Sequence, residues 1–120
     1  MAKKVNIGDL DWEIPSNEDP NNIGTWKKVL ARHEDLDPKS KLMMVNFARV
    51  LVGKVHPSHT HKTMEEIFYF LEGSGQVVLN GKVEEVKAGD RIIVPAGISH
   101  EIRNTGKIEL KFLGIGIALD

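Results

Sequence analysis

The chain has 120 residues, no cysteine and a formal net charge of −1, with 41% hydrophobic and 28% charged residues. That describes one ordinary globular domain, since a disordered segment would carry fewer apolar residues and more net charge. Disulfides, thiolate metal sites and a cysteine nucleophile are excluded, and basic residues scattered in pairs such as Lys3-Lys4 and Lys27-Lys28 argue against a nucleic-acid partner, because phosphate binding needs concentrated Lys and Arg.

Met1 to Asn6 lacks the apolar core of a signal peptide. The apolar runs are far too short to cross a bilayer. Together with the lack of cysteine, this leads to the expectation of a cytoplasmic protein with no membrane partner. Residues 1–25 read as an N-terminal arm, with Trp12 and Ile14 followed by a turn-rich run from Pro15 to Asn22. Residues 26–120 read as a single folded domain. Trp26 to Ala31 is apolar and fits strand and helix equally; His33 to Lys41 is polar and contains Asp37-Pro38.

From Leu42 onward the pattern is β-like. Leu42 to Val52 is apolar with Asn46 and Arg49 interspersed, and Ile67 to Leu71 is aromatic and β-branched. Gln76 to Leu79 and Lys82 to Val86 flank Asn80-Gly81, the strongest short signal for a hairpin turn. Turns at Ala88 to Asp90, Pro95 to Gly97 and Asn104 to Gly106 separate strands over Arg91 to Val94, Ser99 to Asn104 and Glu109 to Leu119. Many short strands with Gly-rich turns indicate an all-β sandwich or barrel.

The chemistry concentrates between Gly53 and Asn104. His59 and His61 stand two apart, so on a strand they share a face and both imidazoles can reach one ion. Four residues separate His61 from Glu66. Read as a hairpin loop, they would bring Glu66 opposite His61 on the adjacent antiparallel strand. Glu66, Phe68 and Phe70 then share one face and Glu65 points away. A further histidine, His100, follows the Pro95-Ala96-Gly97 turn, where fixed φ at Pro95 and a permissive Gly97 re-aim the chain. His33 and His56 lack any comparable surroundings and read as ordinary polar residues.

These two stretches resemble the two sequence motifs of the cupin superfamily. The first, G-x5-H-x-H-x3,4-E-x6-G, is matched at Gly53, His59, His61, Glu66 and Gly73; the second, G-x5-P-x-G-x2-H-x3-N, at Gly89, Pro95, Gly97, His100 and Asn104. All ten specified positions fit, with fifteen residues between Gly73 and Gly89. The resemblance implies a single-domain double-stranded β-helix, a jelly-roll-like barrel, with one divalent metal ion inside it on His59, His61, Glu66 and His100. Fe, Mn, Ni, Co and Zn all suit such mixed nitrogen and oxygen donors. Asn104 falls at a motif position that is not normally a ligand. Four protein ligands on a six-coordinate ion would leave two positions for water, O2 or a chelating substrate.

The resemblance further implies a metal-dependent enzyme of oxygenase or isomerase type, acting on a small organic molecule within the barrel, with Glu66 as ligand and candidate catalytic base. The alternative it leaves open is a non-catalytic module that binds or senses a sugar or other small molecule. A homodimer is expected, with the arm or an outer sheet face covering the partner. Phe68 and Phe70 would line the interior, and Arg49 is a candidate partner for an anionic substrate, although such a residue is more often solvated.

Overall fold

A computed structural model describes residues 3–120. Its strands are β1 (Thr25–Arg32), β2 (Leu42–Val50), β3 (Val55–His59), β4 (Met64–Glu72), β5 (Ser74–Leu79), β6 (Lys82–Lys87), β7 (Arg91–Val94), β8 (His100–Arg103) and β9 (Leu110–Ala118). Helix among the described residues is confined to single 3-10 turns at Ile7–Asp9 and His33–Asp35. The expected strands all form, and the undecided segment Trp26 to Ala31 is strand. Pairing with β2, from Thr25 opposite Val50 to Arg32 opposite Met44, settles what local propensity could not.

Two antiparallel sheets face each other: β1-β2-β9-β4-β7 and β3-β8-β5-β6. Between them lies a core built by period-two alternation. On β4, Glu66, Phe68 and Phe70 are buried while Tyr69 and Leu71 are exposed. The Asn80-Gly81 hairpin forms as its residues dictate. Both have positive φ, 46° and 83°, the backbone of a turn whose twist matches the strands it joins. At Gly75 the constraint is space. A Cβ there would sit 2.2 Å from the Arg103 carbonyl oxygen, so only glycine lets β5 approach β8 this closely.

The described part of the arm runs back over its own barrel. Glu13 exchanges two backbone hydrogen bonds with Lys27, at 2.7 and 2.9 Å. Trp12 packs on Phe47, with ring centroids 5.9 Å apart, and beneath the Arg49 guanidinium at 4.3 Å. Edge strand β1 is thereby partly covered.

Candidate metal centre

His59 ends β3, His61 lies in the following loop, Glu66 is on β4 and His100 begins β8. One ligand atom from each lies within 4.8 Å of every other. The hairpin expected between His61 and Glu66 is not what unites them. β3 pairs with β8 in one sheet, and β4 lies in the other. Residues 60–63 cross between sheets, so His61 and Glu66 meet across the barrel interior. His59 and His100, in contrast, are direct register partners on β3 and β8.

Two backbone hydrogen bonds hold the crossing loop: Gly97 N–H donates to the His61 carbonyl at 2.8 Å, and Leu119 N–H to the Thr63 carbonyl at 3.0 Å. The Pro95 to Gly97 turn thus aims His100 and also braces His61. Asn104 braces the neighbouring loops. Its Nδ2 donates to the carbonyls of Val50 and Ile108, both at 2.9 Å, and its Oδ1 accepts from Gly106 N–H at 3.0 Å. That gives the motif asparagine a structural reason with no ligand role.

The donor set fits a divalent cation. His59 Nδ1 lies 2.9 Å from the Pro57 carbonyl oxygen and His100 Nδ1 3.3 Å from that of Ile98. A carbonyl only accepts, so each Nδ1 carries the proton and each Nε2 turns a lone pair inward. Glu66 Oε1 lies 3.4 Å from His100 Nε2 and 3.0 Å from His61 Nε2. Yet Glu66 Oε1 and His100 Nε2 are buried without an aligned hydrogen bond among the described residues. Buried acceptors that converge on one another are expensive unless a cation lies among them. Ligand atoms about 2.0–2.2 Å from a common ion would stand about 4 Å apart when opposed, compatible with the observed cluster.

The electrostatics favour the ligating forms. Burial, with smaller effects from neighbouring histidines, outweighs the Pro57 hydrogen bond and lowers the His59 pKa to about 4, so this imidazole is neutral at pH 7. Burial alone would raise Glu66, but the facing His100, helped by His61 and His59, holds its carboxyl below the usual value.

The cluster opens onto a cavity of about 110 Å³. Phe68 reaches it from β4, Phe112 and Gly114 from β9, and Asn46 from β2. Phe70 is instead fully buried beneath, in the core. Arg49 does not line the cavity. It faces outward between Trp12 and Glu109, which it meets at 3.4 Å, because odd positions of β2 point away from the interior.

Several cavity residues carry no motif signal. Pro15 and Ser16 of the arm, with Lys27 of β1, line its mouth, and buried Thr25 of β1 also lines the cavity. His56, which read as an ordinary polar residue, lies beside His59 with ring centroids 4.8 Å apart. Its Nδ1 is 2.9 Å from Glu18 Oε2, while Glu18 Oε1 accepts from the backbone N–H groups of Gly24 and Thr25, both at 2.9 Å. Burial raises the Glu18 pKa, but His56 and these two N–H groups outweigh it and leave a net lowering. The buried Glu18 carboxylate therefore latches the arm at the cavity mouth.

Residues 46–116 match the Cupin domain family. The chain is a cupin. A protein named an oxalate-binding protein, from Thermotoga maritima, is 41% identical over 86 residues, covering 67% of this chain and 71% of that protein. An uncharacterised protein of Methanocaldococcus jannaschii is 46% identical over 66 residues, 55% of this chain; the match spans about half of that relative, 53%. Among solved structures, a protein described as a predicted oxalate decarboxylase, also from Thermotoga maritima, superposes with a TM-score of 0.85 at 30% identity, covering 98% of this chain and 100% of the other. No helix among the described residues is long and apolar enough to cross a membrane.

Proposed function

We propose that this cupin holds one divalent metal ion on His59, His61, Glu66 and His100 and is a metal-dependent enzyme acting on a short, oxygen-chelating acid of the oxalate class. The observation that carries the reading is the convergence of two buried, unpartnered ligand atoms, Glu66 Oε1 and His100 Nε2, at the base of a cavity of about 110 Å³. That volume is small beside the roughly 300–1,000 Å³ of ordinary small-molecule pockets, so it favours a ligand of a few heavy atoms. Three neutral imidazoles and one carboxylate would leave a divalent ion with net positive charge, and Lys27 at the mouth adds to it. Both favour an anion. The names of the relatives, oxalate-binding protein and predicted oxalate decarboxylase, point to the same ligand class.

When bound, such an ion polarises substrate oxygens or activates water. Glu66 then serves as ligand and as the candidate base. Oxygenase and isomerase chemistry differ in their need for O2. A second, non-catalytic reading is favoured by the 41%-identical relative, whose name describes binding alone. Metal analysis of the purified protein, followed by oxalate titration of the metal-loaded and metal-stripped forms, tests the site. Metal-dependent binding is expected, and equal binding by both forms would refute it. O2 uptake and product analysis with a panel of short acids then separate enzyme from binder.

We also place a second copy of the chain against the outer face of the five-stranded sheet. There Ile67 lies in register between Ile93 and Ile115, and Ile115 beside Val45, an apolar row across four strands. Ultracentrifugation of wild type and Ile93→Lys tests this, with a dimer expected for the first and a monomer for the second.

A further inference from the structure

Two polar side chains in the cavity have no partner and no part in the ligand cluster. Thr25, on β1, is 1% exposed and Asn46, on β2, is 9% exposed. Both line the cavity, and among the described residues neither Thr25 Oγ1 nor Asn46 Oδ1 has a hydrogen-bond partner. The Asn46 amide group makes only a 3.4 Å contact to Met44 Sδ, a weak acceptor. Interior positions elsewhere on β2 show that the fold does not require polarity there. Two residues further along β2 from Asn46 the inward residue is Ala48, and then Val50. A buried polar group without a partner costs stability that an apolar residue of the same shape would not.

Between these groups and the ligand cluster, β9 carries two glycines, with Phe68 packed over Gly114 and Met44 and Met64 over Gly116. In the sheet order β1-β2-β9-β4, β9 separates Asn46 from β4. Asn46 pairs with Gly114, which pairs in turn with Phe68, and Gly116 stands between Met44 and Glu66. A Cβ on Gly114 would already press on Phe68 at 3.3 Å. The link from Thr25 and Asn46 to the ligand cluster is the cavity itself, which both line together with His59, His61 and Glu66.

We infer that Thr25 and Asn46 are ligand-binding residues, two polar points on the cavity wall that hydrogen-bond a short carboxylic acid whose inner oxygens face His59, His61, Glu66 and His100. This rests on the metal-dependent reading above and extends it. The wall explains why the acid must be short and polar at both ends. A hydrocarbon tail in this position would leave Thr25 and Asn46 unpaired. The hydroxyl of Thr25 serves a carboxylate oxygen as donor, and the Asn46 amide offers either a donor or an acceptor by a half-turn of its plane.

The test uses the full chain loaded with Mn(II) or Zn(II), with oxalate as probe, in wild type, Thr25→Val, Thr25→Ser and Asn46→Leu. Metal content should be the same in all four. Calorimetric affinity for oxalate should fall roughly tenfold in Thr25→Val and in Asn46→Leu, as for loss of one buried hydrogen bond to a charged group, and persist in Thr25→Ser. The melting temperature of metal-loaded, oxalate-free Thr25→Val and Asn46→Leu should equal or exceed that of wild type, which a structural role would not permit. Unchanged oxalate affinity in both variants overturns the subsite while leaving the metal-dependent reading intact. A lowered melting temperature in both also overturns it, because these side chains would then be serving the fold or a structural water. Metal-loaded wild type that fails to bind oxalate, glycolate or glyoxylate overturns the subsite together with the reading beneath it.

Discussion

At the closed end of the barrel, β2, β5, β8 and β9 turn Val50, Val77, Ile102 and Leu110 inward, each fully buried. At the open end, the same β2 and β8 turn in Asn46 and His100, β4 turns in Glu66, and β9 offers Gly114 and Gly116 in place of Leu110 and Phe112. Each strand thus runs from apolar packing to polar or absent side chains within two or three inward positions. The contrast assigns different duties to the two ends. The closed end supplies hydrophobic stabilisation, and the open end, on the metal-dependent reading proposed above, leaves buried polar atoms for a cation and a ligand to satisfy.

The sharpest test of that division is Phe70→Ala. Phe70 is fully buried and packs against Phe112, with centroids 5.5 Å apart. Urea denaturation should show a loss of about 3–5 kcal/mol, while metal stoichiometry per folded chain stays the same. Loss of the ion from folded Phe70→Ala would show that the two ends are not separable. Metal should have the complementary effect. At free metal about a hundredfold above its Kd, wild type should gain about 2.7 kcal/mol, and His100→Ala should gain almost nothing because one of its strong ligands is gone. A comparable gain in the variant would remove His100 from the ligand set.

The arm latch comes next. Glu18→Ala removes a carboxylate with 1% side-chain exposure and leaves Gly24 N–H, Thr25 N–H and His56 without their acceptor. The cost should be about 1–3 kcal/mol, with faster amide exchange or proteolysis confined to the arm and the cavity mouth. Unaltered exchange there would show that Trp12 and the Glu13–Lys27 pairing hold the arm alone. The smallest effect is on pH dependence in the metal-stripped protein. The ordinary value for histidine is 6.5 and that of folded His59 is about 4, so the unfolded chain takes up this proton first. Stability from His59 is therefore complete above pH 6.5 and declines as pH falls toward 4. Glu18 and Glu66, both lowered from 4.5, add a second loss below pH 4.5. Denaturation curves from pH 7.5 to 3.5 should show both windows, and His59→Gln should flatten the upper one.

Most of the strand pattern was legible in the residues, because period-two alternation and turn chemistry are local. Asn80-Gly81 announces its hairpin, and the even positions of β4 announce their burial. The clustered residues were legible for a related reason: His59, His61, Glu66 and His100 sit at fixed spacings from glycines and a proline whose backbone requirements are themselves local. The spacing nevertheless suggested the wrong geometry for His61 and Glu66. Whether four intervening residues turn back in one sheet or cross to the other depends on which strands pair, and β3 pairs with β8.

By itself, then, the sequence determined the β architecture, the positions of its turns and the four residues that share one site. Tertiary structure alone decided how that site is enclosed. It turned Trp26 to Ala31 into an edge strand, set Arg49 outside the cavity, brought Glu18 from the arm onto His56, and left Thr25 and Asn46 buried in the wall of one cavity. Those juxtapositions join residues that are far apart in the chain. No local periodicity encodes them, because they exist only once the two sheets have paired, twisted and closed around a common interior.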